Sequence, residues 1–285
     1  MRSYLPAYDL VAPDTLPAAL ALLAGGEGWR PIAGGTDLMV LLNAGKLPYR
    51  RLVSLRKLED LRQITVSPTL VSIGAAVTYS QIQQHPVLRS EFPLLCQAAG
   101  WTGGIANQNQ GTLGGNIANA SPAADSAPPL LVHDAGIRLL SLAGNRSVPY
   151  EEFHVGYKQL AMQPGELILA IDLPRRPSPW RYHGRKAGTR RAQAISKVSF
   201  AAAARIEGSR ILDIQLAYGS VAPMPLRCFT TERFLTDNLL TQAAIANACR
   251  ILTSEIAPID DIRSTAAYRS DVARNLLAEF LDKLQ

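Results

Sequence analysis

The chain has 285 residues, 47% of them apolar and 18% charged, against roughly 25% charged in an average soluble protein. That composition excludes a disordered chain and supports one large domain or two ordinary ones with real cores; the low charge also suits a surface partly covered by partner subunits. No apolar run reaches the ~18 residues of a membrane span, and Met1 to Pro6 carry one Arg and no apolar leader core, so a cytoplasmic protein without a membrane span is expected.

In chain order, residues 8–14 read as a short strand and turn. A helix follows, with Asp14 or Thr15 as cap, Pro17 in its first turn and Gly25-Gly26 as its stop. Residues 30–33 form a strand running directly into Gly34-Gly35-Thr36-Asp37. The spacing then predicts a helix over 38–43, a strand over 51–55 and an alternating strand over 70–77. Helices begin at Thr78 and at Phe92. Residues 100–129 hold six glycines, four asparagines and three prolines, a mixture that reads as an irregular, ligand-facing loop. Strand patterns resume at 136–140 and 166–171. Residues 174–179 (Pro-Arg-Arg-Pro-Ser-Pro) suit a linker, followed by strands at 198–206 and 211–219 and helices at 239–253 and 265–284.

Three dispersed cysteines, Cys96, Cys228 and Cys249, are too few for a self-contained iron–sulfur cluster, which takes about four. The four histidines show no ligand spacing, so no metal site is expected. Redox chemistry in this chain therefore needs an organic cofactor. The net charge of +6 is uneven: residues 1–173 hold 12 Lys and Arg against 13 Asp and Glu, and residues 174–285 hold 17 against 10. Eight basic residues and no acid lie between Arg175 and Lys197. Without a helix-turn-helix pattern or interleaved aromatics, that stretch reads as a solvated loop or a surface facing an anionic ligand or acidic subunit, not as a nucleic-acid site.

Two glycine-rich loops carry the chemistry. In the first, Gly34 and Gly35 remove side chains between a strand and a helix, so that backbone N–H groups can close on an anion, with Thr36 as a hydroxyl donor. It is not a P-loop, since no Gly-Lys-Ser/Thr follows. The second runs from Thr112 through Gly114-Gly115-Asn116 to Asp125 and again combines hydroxyl, paired glycines and amide side chains. Two such loops suggest a diphosphate held from both sides; two unrelated glycine turns are the plain alternative.

Ala33-Gly34-Gly35-Thr36-Asp37 together with Thr112-Leu113-Gly114-Gly115-Asn116-Ile117-Ala118-Asn119-Ala120-Ser121-Pro122-Ala123-Ala124-Asp125 resembles the FAD-binding medium subunit of the molybdenum hydroxylases, the xanthine dehydrogenase and carbon monoxide dehydrogenase flavoprotein type. Residues 165–174 and 222–227 extend the resemblance over nearly the whole chain. It implies an α+β protein. A two-subdomain FAD-binding fold of the vanillyl-alcohol-oxidase/PCMH type would cover residues 1–173, split near 55–65, followed by a smaller α+β C-terminal domain over 177–285. It also implies FAD bound by Arg30, Pro31, Ile32, Ala33, Gly34, Gly35, Thr36 and Asp37 and by Thr112, Leu113, Gly114, Gly115 and Asn116. Asn119, Asp125, Ile168 and Lys186 would be further contacts, and no residue of the chain would be catalytic.

Molybdopterin and 2Fe-2S clusters would belong to a large and a small partner subunit, with NAD, a quinone or oxygen as electron acceptor. Two departures stand out. Thr102 stands where animal-type members carry an aromatic beside the flavin, and Ala106-Asn107-Gln108-Asn109 replaces a bacterial Gln-Ile-Arg-Asn, removing a positive charge. The rival readings are a self-contained flavin reductase resembling the enolpyruvyl reductase of cell-wall synthesis and a non-catalytic nucleotide-binding scaffold.

Overall fold

The computed structural model describes residues 7–176, 179–190 and 193–285. Pro177 and Ser178 of the expected linker, Arg191 of the basic stretch and Met1 to Pro6 lie outside the described residues. Strand β1 (Asp9–Val11) leads into α1 (Leu16–Ala24), whose Thr15 cap accepts from the Ala18 N–H at 3.4 Å. Then come β2 (Trp29–Ile32), α2 (Leu38–Asn43) and β3 (Arg51–Ser54). All three strands are parallel with β3 in the middle, which requires helical crossovers between them. Leu16, Ala19 and Leu20 of α1 close a small core with Val53, Leu55, Leu58 and Leu61.

The second unit is antiparallel. Strands β4 (Ile64–Val66) and β5 (Leu70–Gly74) precede a run of short helices: α3 (Tyr79–Gln84), α4 (Pro86–Glu91), α5 (Pro93–Trp101), α6 (Ile105–Gln110), α7 (Leu113–Ala118) and α8 (Ala127–Val132). The chain returns through β6 (Gly136–Ser141), β7 (Gly144–Pro149), α9 (Tyr150–Phe153), a ribbon of β8 (His154–Gly156) and β9 (Gln159–Leu160), and β10 (Leu167–Pro174). The sheet order is β4-β5-β10-β6-β7. Strand β5 ends at Gly74 rather than continuing to Val77. A β-carbon there would lie 2.4 Å from the Leu61 carbonyl oxygen, where the preceding unit closes against it.

The reading of residues 100–129 as one irregular loop is corrected: α6, α7 and the start of α8 lie within it. Each is six residues long. Helix α7 tolerates two glycines because Thr112 caps it, accepting from the Gly115 N–H at 3.1 Å, and because Gly114 lets it pack directly on Ala75. Tertiary contact here outweighs helix propensity.

The third unit has β11 (Arg181–Ala187), β12 (Val198–Glu207), β13 (Arg210–Gly219) and β14 (Leu226–Arg227) in that order, antiparallel. Helices α10 (Phe229–Asp237), α11 (Gln242–Glu255) and α12 (Ala266–Asp282) follow. Side-chain alternation divides β12 between two cores. Val198, Phe200, Ala202 and Ala204 pack with Leu216, Tyr218 and Phe280 under the C-terminal helices. Ala201 and Ala203 turn the other way, with Ala217 of β13, into the core that contains Leu130 and Leu131 of α8. The alanines let α8 lie close on the sheet.

The loop reading of the basic stretch is corrected in part: Arg181 to Ala187 form β11, and several of its charges have partners. Arg175 pairs with Glu91 at 2.6 Å, Arg176 with Asp134, Arg185 with Glu279 at 3.5 Å and Lys186 with Asp125 at 2.5 Å. Among the described residues no helix is long and apolar enough to cross a membrane.

Candidate cofactor site

Where β2 leaves its sheet, the chain turns through Ala33, Gly34, Gly35, Thr36 and Asp37 into α2. Gly35 adopts φ +70°, a left-handed conformation that glycine takes without steric cost. The Ile32 carbonyl accepts from Leu55 N–H and the Gly35 carbonyl from Met39 N–H, both at 2.9 Å, but no N–H from residue 33 to residue 38 has a partner among the described residues. Successive unpaired amides bent around a left-handed residue form a concavity that attracts anions. Asp37 starts α2 without capping it.

The second loop is built differently. Its amides are spent on the protein: Leu113 N–H donates to Val77 O at 3.0 Å, Gly114 N–H to Ala75 O at 2.9 Å, and Asn116 N–H to Thr112 O at 3.0 Å. What it presents is side chains. The Asn116 Oδ1 accepts from the Ser126 hydroxyl at 2.6 Å, leaving its amide N–H free to donate, and Gly115 is exposed. The paired glycines of the two loops therefore differ in use. A β-carbon on Gly34 would stand 1.9 Å from Gln110 O, and one on Gly114 would stand 2.7 Å from Ala75 O, whereas one on Gly115 would meet only the Thr112 hydroxyl, at 2.8 Å. Gly34 and Gly114 bring backbones together, whereas a β-carbon on Gly35 would touch only the Ile32 and Met39 side chains, at 3.4 and 3.5 Å, and Gly115 is exposed.

One hydrogen bond joins the loops: Asn119 Nδ2 donates to Asp37 Oδ2 at 3.1 Å. From Asn116 the line of contacts continues through Ser126 to its neighbour Asp125, and so to the C-terminal unit. Lys186 Nζ donates to Asp125 Oδ2 at 2.5 Å and to the Trp101 carbonyl at 3.0 Å, and the Ser196 hydroxyl donates to Asp125 Oδ1. Both charged side chains are buried. Burial raises the Asp125 carboxyl above its usual range, against the opposing pull of the Lys186 charge and the Lys186 and Ser196 hydrogen bonds.

The structure thus brings together residues 33–37, 112–116, 119, 125 and 186. Arg30 and Ile168 are placed otherwise. The Arg30 guanidinium lies over the Tyr49 ring at 5.3 Å, next to the half-buried Pro31 and Ile32. Ile168 is 3% exposed in the central core with Leu113 and Ile117, so its side chain supports the second loop from beneath. Ser126, Ser196 and the Trp101 carbonyl belong to the site yet escape sequence reasoning; only Ser126, directly after Asp125, carried any positional signal. The buried Tyr79 hydroxyl, which also lacks a partner among the described residues, sits on the helix whose first N–H donates to Gly111 O at 3.2 Å. The donor set of free backbone amides, two threonine hydroxyls, amide side chains and one buried cation fits a nucleotide diphosphate and its attached sugars.

Fold and donor set define a nucleotide-cofactor protein, and comparison with known proteins specifies it. Residues 6–176 match the family described as the FAD binding domain in molybdopterin dehydrogenase, and residues 184–284 match the CO dehydrogenase flavoprotein C-terminal domain. The chain is 31% identical to the xanthine dehydrogenase FAD-binding subunit of Escherichia coli over 94% of its length and 93% of that protein. It is 32% identical to the glyceraldehyde dehydrogenase medium chain of Sulfolobus acidocaldarius over 96% of both. Reconstituted CO dehydrogenase from Oligotropha carboxidovorans superposes with a TM-score of 0.92 at 27% identity, over 97% of this chain and 96% of that one. The chain belongs to the FAD-binding subunits of the molybdenum hydroxylase family, and its cofactor is FAD.

Proposed function

We propose that this chain is the flavin subunit of a multi-subunit dehydrogenase in which a molybdopterin-bearing large subunit oxidises the substrate and an iron–sulfur small subunit delivers the electrons here. Bound flavin would supply the two-electron chemistry, with NAD, a quinone or oxygen as acceptor. The chain's own residues bind and orient. The amides of residues 33–38 receive the diphosphate, joined by the hydroxyls of Thr36 and Thr112 and the amide of Asn116, while Asp37 and Asn119 fix the spacing of the two loops. Arg30, Pro31 and Ile32 extend the first loop, Leu113 and Ile168 pack beneath the second, and Lys186 and Asp125 form the polar end of the site. Residues 1–173 would grip the cofactor and residues 177–285 close over it.

The observation that carries this reading is the row of unpaired amides set against the Asp37–Asn119 bridge. It occurs in a chain matched along nearly its full length by medium chains and FAD-binding subunits. The cysteine count supports a division of labour, because three cysteines cannot ligate a cluster that takes about four. Helix α2, next to the amide row, buries none of its residues and leaves Val40 65% exposed, an apolar surface suited to burial against a partner. Purified chain titrated with FAD should bind one flavin per chain and develop the flavin visible bands. Absence of binding at any workable concentration would contradict the reading and favour the scaffold.

A further inference from the structure

Ser220, just beyond β13, joins three distant parts of the chain. Its φ is +67°, a backbone conformation that costs a serine energy and persists only where surroundings impose it. All its polar groups are engaged. Its N–H donates to Pro122 O at 2.8 Å, its hydroxyl donates to Ser196 O at 3.0 Å, and its carbonyl accepts from Arg269 at 3.0 Å. Arg269 lies in the first turn of α12, is 3% exposed, and also donates to Lys197 O at 2.7 Å and to the Asp261 carboxylate at 2.8 Å. Asp261 is itself held by the N–H groups of Arg263 at 2.8 Å and Ser264 at 3.1 Å. The two backbone stretches so pinned, around Pro122 and around Ser196 and Lys197, are those that carry Asp125 and its hydrogen-bond donor Ser196.

We infer that Ser220 and Arg269 are positioning residues of the cofactor site: from the C-terminal unit they fix where Ser196 and Asp125 stand, and through Asp125 they orient Lys186 toward the flavin. This rests on the reading of Asp125 and Lys186 as flavin-contacting. Neither Ser220 nor Arg269 touches the amide row, so the effect on FAD must pass through that pair.

The test is FAD affinity of the full chain by flavin fluorescence, together with the visible spectrum of the bound flavin. Arg269→Met should weaken FAD binding roughly tenfold, as loss of a supporting residue behind a ligand-contacting group commonly does, and should shift the flavin spectrum in the same direction as Lys186→Gln. Ser220→Gly, which keeps the left-handed backbone and the Pro122 and Arg269 bonds while removing the side chain that holds Ser196 O, should produce a smaller shift of the same sign and guards against a folding failure in Arg269→Met. In a Ser196→Ala background Ser220→Gly should add nothing, since both act on one line of contacts. The inference is overturned if Arg269→Met and Ser220→Gly lower the melting temperature but leave FAD affinity and spectrum unchanged, or if Ser196→Ala and Ser220→Gly act independently. Unchanged FAD binding in Lys186→Gln would instead remove the reading of the site on which the inference rests.

Discussion

A β-carbon on Gly34 would stand 1.9 Å from the carbonyl oxygen of Gln110, so the first glycine loop and the chain entering the second touch backbone to backbone. Gly34→Ala must displace main chain, and the expected cost is about 3 kcal/mol or more, at the upper end of overpacking effects. Gly115→Ala meets only the Thr112 hydroxyl and should cost no more than about 1 kcal/mol, the worth of the cap it disturbs. The bulkier Gly115→Val should lose FAD while retaining much of the fold. Urea denaturation of the flavin-free chain checks the stabilities and fluorescence titration the FAD affinity. Equal stability losses at Gly34 and Gly115 would refute the division of roles between the two glycines.

The Asn119–Asp37 hydrogen bond is exposed, so Asn119→Ala should change stability by no more than about 1 kcal/mol, as exposed polar pairs do. It should weaken FAD binding by more than that stability change implies, because the bond sets the gap between the loops. A parallel loss of both, or of neither, would argue against a spacing role.

Lys186→Met leaves the Asp125 carboxyl buried without its cation. Removing one partner of a buried pair costs about 3–5 kcal/mol. Burial already raises the Asp125 carboxyl, and without Lys186 it rises further. A folded pKa above the unfolded value gives stability that is full at low pH and lost as pH rises through the folded value. The melting deficit of Lys186→Met relative to the native chain should therefore be smaller near about pH 5 than near about pH 8. A larger deficit at the lower pH would overturn the assignment.

His133 supplies a second pH dependence of known sign. Both ring nitrogens lack partners among the described residues, and the ring packs against Phe92 and Tyr182. Burial, aided by the Arg176 charge and opposed by Asp134, lowers its pKa from 6.5 to about 3. Between those values the unfolded chain takes a proton that the folded chain refuses, so folding stability falls as pH drops, by ~1.4 kcal/mol per pH unit. Burial similarly lowers His154 to about 4. His133→Leu should flatten the fall in urea stability between about pH 6 and about pH 5; an unchanged slope would show that His133 does not titrate as its burial requires.

The strands and long helices are legible in the sequence wherever one periodicity dominates, as in the Val198–Glu207 and Arg210–Gly219 hairpin. What the pattern hides is that β12 serves two cores, because Ala201 and Ala203 are apolar like their neighbours and only α8 reveals what they face. Strand β11 is masked by charges, of which Arg185 and Lys186 find their partners, Glu279 and Asp125, far away in the chain, as Arg175 and Arg176 before it do in Glu91 and Asp134. The glycine pairs of the site are visible as residues, but their separate uses depend on Gln110 and Ala75, which reach them only in the fold. Ser196 and Ser220 carry no local signature at all.

The most direct test of the central claim is to follow the visible band of the bound flavin after mixing the FAD-loaded chain with electron donors. Alone, the chain should be reduced by an artificial donor and not by any purine, aldehyde or N-heterocycle. With the proposed molybdopterin and iron–sulfur partners, in an assembly that survives gel filtration, the flavin should be reduced by the complex's substrate. Reduction and turnover of a small substrate by the isolated chain with NAD(P)H would contradict the account and establish a self-contained flavoenzyme instead.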